Sequence, residues 1–164
     1  MLTNYSLNCR HDSVLHWQME NKQSVEEYLA TLNDEQTAED SQVLIDMMQR
    51  ISGHEPKLYN AGTIGLAATT TSTTADAKAT QPPYVLYARK NKITIYLMDG
   101  TARYPDLLAK LGKHTITGYC LYIKQLSDIE LPVLEQILRQ SNEFITAKAQ
   151  YGAVDKILWK TETA

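Results

Sequence analysis

Apolar residues recur along this chain at helical spacing first and at alternating spacing later. Val25, Tyr28, Leu29 and Leu32 fall at i, i+3, i+4 and i+7, one stripe of an amphipathic helix. Ser24 stands three residues before Glu27. In that pattern the serine oxygen accepts from a free amide and the glutamate reaches back to the serine amide, so the helix is predicted to open at Ser24. A second stripe, Val43, Leu44, Met47, Met48 and Ile51, predicts a helix from near Asp34–Thr37 that stops before Gly53. Glycine there suits a left-handed C-terminal cap. From Lys57 the period changes, and residues 58–60 and 63–68 read as short strands around Gly62. Residues 84–89 and 93–98 are the clearest strands, with Ile93, Ile95 and Leu97 alternating with Thr94, Tyr96 and Met98. Lys90-Asn91 fits a tight turn between them, because asparagine tolerates positive φ.

The remaining pattern completes an architecture. A short helix is predicted from Pro105, with Tyr104, Leu107, Leu108 and Leu111 on one side and Gly112 at its end. Tyr119, Leu121 and Ile123 alternate with Cys120, Tyr122 and Lys124 in another strand. A last helix spans about 132–148, with Val133, Leu134, Ile137, Leu138, Phe144 and Ile145 on its buried face. Sequential strands joined by short turns imply an antiparallel sheet. The expected fold is therefore α+β, two layers, with the helices packed on one face of the sheet. Residues 1–22 show no period and read as a loosely ordered arm that Leu15 and Trp17 anchor. Residues 23–148 form the domain, and 149–164 a tail. Residues 69–81 contain six threonines in thirteen positions and read as a polar loop closed by Pro82-Pro83.

Composition narrows the function classes. At 164 residues, with 43% hydrophobic and 21% charged residues, the chain suits one globular domain. A net charge of −3 argues against general nucleic-acid binding. No apolar run approaches about 18 residues, so no membrane-spanning helix is expected. The two cysteines, Cys9 and Cys120, make no disulfide framework, and the N-terminus lacks the basic start and apolar stretch of a signal peptide, so a reducing cytoplasm is the expected location. Charge is uneven: residues 1–52 carry net −6 and residues 53–164 net +3. The acidic share falls on the first two helices.

Several segments together resemble a known family. Asp40-Ser41-x-x-Leu44-x-x-x-Met48 leads to Gly53-x-Glu55-Pro56-x-x-Tyr59. Arg89-Lys90-x-x-Ile93-Thr94-Ile95-Tyr96-Leu97 follows, then Leu111-Gly112-Lys113-His114, Cys120-Leu121-Tyr122-Ile123-Lys124 and Leu126-Ser127-Asp128-Ile129-Glu130. In this order and spacing, over about residues 25–145, they resemble the YdhG-like family, catalogued as domain of unknown function 1801. The resemblance implies a small α+β cytoplasmic bacterial domain without a settled activity. Some members are described as frataxin-like iron chaperones, so iron is the one cofactor it implies. The chain departs from the pattern at Tyr59-Asn60, where relatives usually carry Trp-Gly, at Gly65-Leu66-Ala67, where Gly-Phe-Gly is typical, and at Gly118-Tyr119, where a Gly-Lys pair is expected.

Three groups of residues carry candidate chemistry. Glu26, Glu27, Glu35, Glu39 and Asp40 lie on the first two helices, with Asp34 between them. Hard cations such as iron favour oxygen ligands, and frataxin-like proteins use an acidic ridge on their first helix. The competing reading is a solvated helical face. Cys120, with His114 and Lys113 nearby in sequence, is a candidate for thiol chemistry, which needs a lowered pKa, a base and access. The competing reading is a small buried hydrophobe. Tyr59, Tyr84, Tyr87, Tyr96, Tyr104, Tyr119 and Tyr122 concentrate in the sheet half, and some of them, Tyr59, Tyr96 and Tyr122 foremost, are candidates for a ligand cleft with Arg89 and Lys90 at the hairpin turn, against plain strand packing. Cys9, His11, Asp12 and His16 match no standard metal spacing. The expected function is a non-enzymatic binding or adaptor domain for a small molecule or protein, with no nucleic-acid or membrane partner. Frataxin-like iron binding or delivery through the acidic helices, and thiol chemistry at Cys120, are the alternatives.

Overall fold

The computed structural model describes residues 22–59, 62–66 and 84–150, with side chains as far as Ala147. The expected arm apart from Lys22, the threonine-rich loop and the tail beyond Gln150 lie outside these residues. The elements in order are α1 (Val25–Ala30), α2 (Glu35–Ser52), β1 (Lys57–Tyr59), β2 (Thr63–Gly65), β3 (Tyr84–Arg89), β4 (Lys92–Leu97), α3 (Pro105–Leu111), β5 (Thr115–Thr117), β6 (Cys120–Ile123) and α4 (Leu131–Gln150). Short 3-10 turns at Thr101–Arg103 and Leu126–Asp128 precede α3 and α4. The six strands form one antiparallel sheet in the order β1-β2-β3-β4-β6-β5. Helices pack on one of its faces, so the α+β two-layer expectation holds. Among the described residues no helix is long and apolar enough to cross a membrane.

Local chemistry sets the helix ends where the sequence places them. Ser24 and Glu27 form the reciprocal cap of α1, with Glu27 N donating to Ser24 Oγ at 3.1 Å and Ser24 N to Glu27 Oε2 at 2.9 Å. Asp34 caps α2 through Thr37 N at 3.3 Å and also accepts from Asn91 N at 2.8 Å, tying the start of α2 to the β3–β4 turn. Gly53 ends α2 with φ +73.

The core lies between helices and sheet. Tyr84, Leu86, Ala88, Ile93, Ile95, Leu97, Leu121 and Ile123 from the strands meet Leu44, Ile45, Met48, Leu134, Ile137 and Leu138 from α2 and α4. Each fully buried Leu or Ile contributes about 1.5–3 kcal/mol. Tyr84 donates from its hydroxyl to Met48 O at 3.2 Å, and burial raises its pKa. Two expectations are corrected here. Val43 is 45% exposed and Ile45 takes its place in the core at 1%, because the buried arc of α2 must meet both α4 and the sheet. Strand β5 is unannounced in the sequence, since it is only three residues long and all three are exposed.

Buried polar groups clamp the layers. Asp40 is buried, accepting from Leu126 N at 2.8 Å and from Gln36 Nε2 at 2.9 Å. The Asp99 side chain is wholly buried and accepts from the Tyr104 hydroxyl, from Ser141 Oγ at 2.7 Å and from Arg103 Nε at 3.3 Å. The Arg103 guanidinium lies 3.5 Å from the centroid of the Phe144 ring. That network fastens the end of β4 to α4, and burial followed by the Asp99 bond raises the Tyr104 pKa. At the other end of α3, Lys113 N donates to Asp128 O at 2.9 Å and Glu130 N to Leu111 O at 2.7 Å, with Gly112 paired to Ile129.

Candidate functional site

Residues directly opposite in a ladder share a face, and so do residues two apart along a strand. The register therefore aligns Tyr59, Thr63, Tyr87, Thr94 and Tyr122 in one row on the face turned away from the core helices. The neighbouring row runs Lys57, Gly65, Val85, Tyr96 and Cys120. Arg89 pairs with Lys92 at the end of the same face, and Lys90 follows in the turn. Four of the five residues expected at a ligand site, Tyr59, Tyr96, Tyr122 and Arg89, thus come together from four strands, with Lys90 at their margin. The register places Tyr87 with them and adds Thr63, Thr94 and Lys92, whereas Tyr84 and Tyr104 belong to the core. The alternation of residues 84–89 carries the signal for Tyr87, since it sets Tyr87 and Arg89 on one side.

The face grades from buried to exposed. Tyr59 and Thr63 are buried, Tyr87, Thr94, Tyr96 and Tyr122 are half-buried, and Arg89 and Lys92 are exposed. Tyr96 stacks on Tyr119 with ring centroids 5.6 Å apart and 24° between planes. Lys92 Nζ sits 4.3 Å from the centroid of the Tyr122 ring, a cation–π contact. Burial is the main cause that pushes the Tyr96 phenol up to about 12, with Tyr119 and Tyr87 adding to it. Burial likewise raises Tyr87, against a hydrogen bond from Thr63 and the Arg89 charge. These two hydroxyls are neutral at pH 7. They donate or accept hydrogen bonds and offer aromatic surface; they do not serve as phenolate bases. The chemistry of the face is stacking and hydrogen bonding, with two cations at one end.

The other expected sites do not assemble. Glu26, Glu27, Glu35 and Glu39 are exposed, and Glu27 is engaged in the α1 cap. Asp40 is turned inward, with both carboxylate oxygens engaged. Among the described residues no group of three or more His, Cys, Asp or Glu is placed to hold a metal ion. Cys120 is disulfide-bonded, so the expectation of unpaired cysteines is corrected and its sulfur is not a thiolate nucleophile. His114 does not stand beside Cys120 either. Thr115 pairs with Tyr122 and Thr117 with Cys120, which puts His114 about three residues, or roughly 10 Å, further along the ladder. Its Nδ1 is instead 2.8 Å from Gly112 O. Comparison with protein-family models, with curated proteins and with solved structures finds no match for this chain.

Proposed function

We propose that this chain is a small, non-enzymatic binding domain of the YdhG-like type. Its tyrosine-bearing sheet face takes a small molecule with a planar or apolar body and an anionic group. The observation that carries this reading is the meeting of Tyr59, Tyr96, Tyr122 and Arg89 on one face, with Lys92 already seated over an aromatic ring. The half-buried rings of Tyr96 and Tyr122 supply stacking surface and hydrogen bonds beside the buried Tyr59, and Arg89 and Lys92 complement an anion. The family part of the reading draws support from Asp40 and Leu126, which belong to two of the segments that carry the resemblance and are bonded to each other.

The test is a thermal-shift screen of aromatic carboxylates and phosphorylated metabolites against the full chain. A ligand bound only by the native state stabilises by about 2.7 kcal/mol at a hundred times its Kd. Tyr122→Ala and Arg89→Ala are each expected to weaken a true hit tenfold or more, about 1.4 kcal/mol. Hits that bind both variants as well as the parent chain refute the reading.

A further inference from the structure

Like charges directly opposite one another on neighbouring strands destabilise a sheet. Arg89 and Lys92 are such a pair, the last of the β3–β4 ladder. The β4–β6 register ends with Ile93 opposite Ile123, so the next residues outward are Lys92 and Lys124. Alternation returns Lys124, two residues beyond Tyr122, to the tyrosine-bearing face. Arg89, Lys92 and Lys124 therefore form a row across the adjacent strands β3, β4 and β6, about 10 Å from end to end. Each is exposed, and among the described residues none is ion-paired with a carboxylate. We infer that this row binds a chain of phosphoryl groups, and that the ligand of the tyrosine-bearing face is a nucleoside di- or triphosphate. The nucleoside part rests on the binding reading above; the phosphate part stands on the row alone.

Spacing selects the ligand class. A lone carboxylate is too small to meet the whole row. A linear polyphosphate offers successive negative charges along it and accepts charge-assisted hydrogen bonds from guanidinium and ammonium groups alike. Tyr87, Thr94 and Tyr122 lie two residues inward on the same strands, about 7 Å from the cations, which leaves room for a sugar between phosphates and a planar base. Lys92 Nζ lies at the junction of the two rows, 4.3 Å from the centroid of the Tyr122 ring. An exposed cation–π contact is weaker than a charge-assisted bond to phosphate. Lys92 therefore turns to the phosphates when they arrive, and the ring is released to stack on the base. The polyanion also relieves the repulsion that Arg89, Lys92 and Lys124 exert on one another in the ligand-free fold.

The test is calorimetric titration of the full chain, at low ionic strength and without divalent cations, with ATP, ADP, AMP and inorganic tripolyphosphate. ATP and ADP are expected to bind about tenfold more tightly than AMP or tripolyphosphate, and to weaken as salt is added. Lys124→Gln, at an exposed position, is expected to weaken ADP about tenfold, to leave the aromatic carboxylates of the screen unaffected, and to raise the melting temperature of the ligand-free chain at low salt. Lys124→Arg is expected to keep the parent affinity. ADP binding no tighter than AMP, or binding Lys124→Gln as well as the parent chain, overturns the inference. If aromatic carboxylates still bind and still need Tyr122 and Arg89, only this inference falls and the binding reading stands. Tripolyphosphate binding as tightly as ATP overturns the nucleoside assignment. A single-stranded oligonucleotide binding more tightly than ATP overturns it in favour of nucleic acid.

Discussion

Replacing Gly112 with alanine tests how the end of α3 is locked to the segment before α4. Gly112 has φ +106 and ψ −147, a region that residues with a Cβ essentially avoid. A Cβ built there stands 2.6 Å from Asp128 O and 3.1 Å from Ile129 Cα. Both are backbone atoms of a segment pinned by the Lys113–Asp128 and Glu130–Leu111 hydrogen bonds, so neither retreats without loosening a bond. Backbone strain costs about 1–3 kcal/mol. Overpacking adds about 1–3 kcal/mol. Gly53→Ala is the matched control: φ is +73, but nothing lies within 4 Å of the added Cβ, so only about 1–2 kcal/mol of left-handed strain applies. The unfolded-state entropy change of glycine to alanine is common to both and cancels in the comparison. Gly112→Ala should therefore lose about 3 kcal/mol more than Gly53→Ala. At roughly 2–4 °C per kcal/mol for a chain of this size, the two melting temperatures should differ by about 6–12 °C. Urea unfolding followed by circular dichroism measures the same gap. If Gly112→Ala loses no more stability than Gly53→Ala, the locked-corner reasoning is wrong.

Other perturbations follow from the same contacts. Asp40→Ala leaves the Leu126 amide buried without its acceptor and should cost about 2–3 kcal/mol in urea unfolding, while Glu39→Ala, on the exposed side, should stay within about 0.5 kcal/mol. Equal effects would show that Asp40 does not clamp the two segments. Ser41 Oγ is buried without a hydrogen-bond partner, so Ser41→Ala should raise the melting temperature slightly, by about 1 kcal/mol of stability or less; a loss of stability would mean that the hydroxyl is satisfied. The Asp34 carboxyl is held below its ordinary pKa, first by the Asn91 amide and then by Thr37. A depressed folded pKa means that its stabilisation is present above the unfolded value and is lost as pH falls through the folded one. Asp34→Asn should therefore flatten the fall in stability between about pH 5 and pH 2, and an unchanged slope would count against the double cap.

What the sequence showed was local. Ser24 with Glu27, Gly53 and the Lys90-Asn91 turn are short-range devices, and each stands where its chemistry predicts; Asn91 has φ +57. Alternation in β3 and β4 also carried the tyrosines to one face. What stayed hidden depends on partners far along the chain. Spacing placed a stripe on α2 but left its rotation open, so Val43 and Ile45 exchanged roles once α4 and the sheet claimed one arc. Asp40 looked like one acid among several, because its partner Leu126 lies 86 residues away. Asp99 gave no sign at all, since its donors come from Arg103, Tyr104 and the distant Ser141.

The two outermost strands of the sheet, β1 and β5, are only three residues long, and among the described residues each is paired along one side only. An unpaired border of three residues runs about 10 Å, room for very few intermolecular ladder bonds. The exposed threonines Thr115 and Thr117 of β5 add solvated polar groups where an incoming strand would have to lie. A sheet that carries so many aromatic side chains is at risk of growing by the addition of further chains, and short polar borders are a recognised restraint on such growth. Lengthening β5 with alternating valines should therefore make the protein aggregate without altering any contact in its interior.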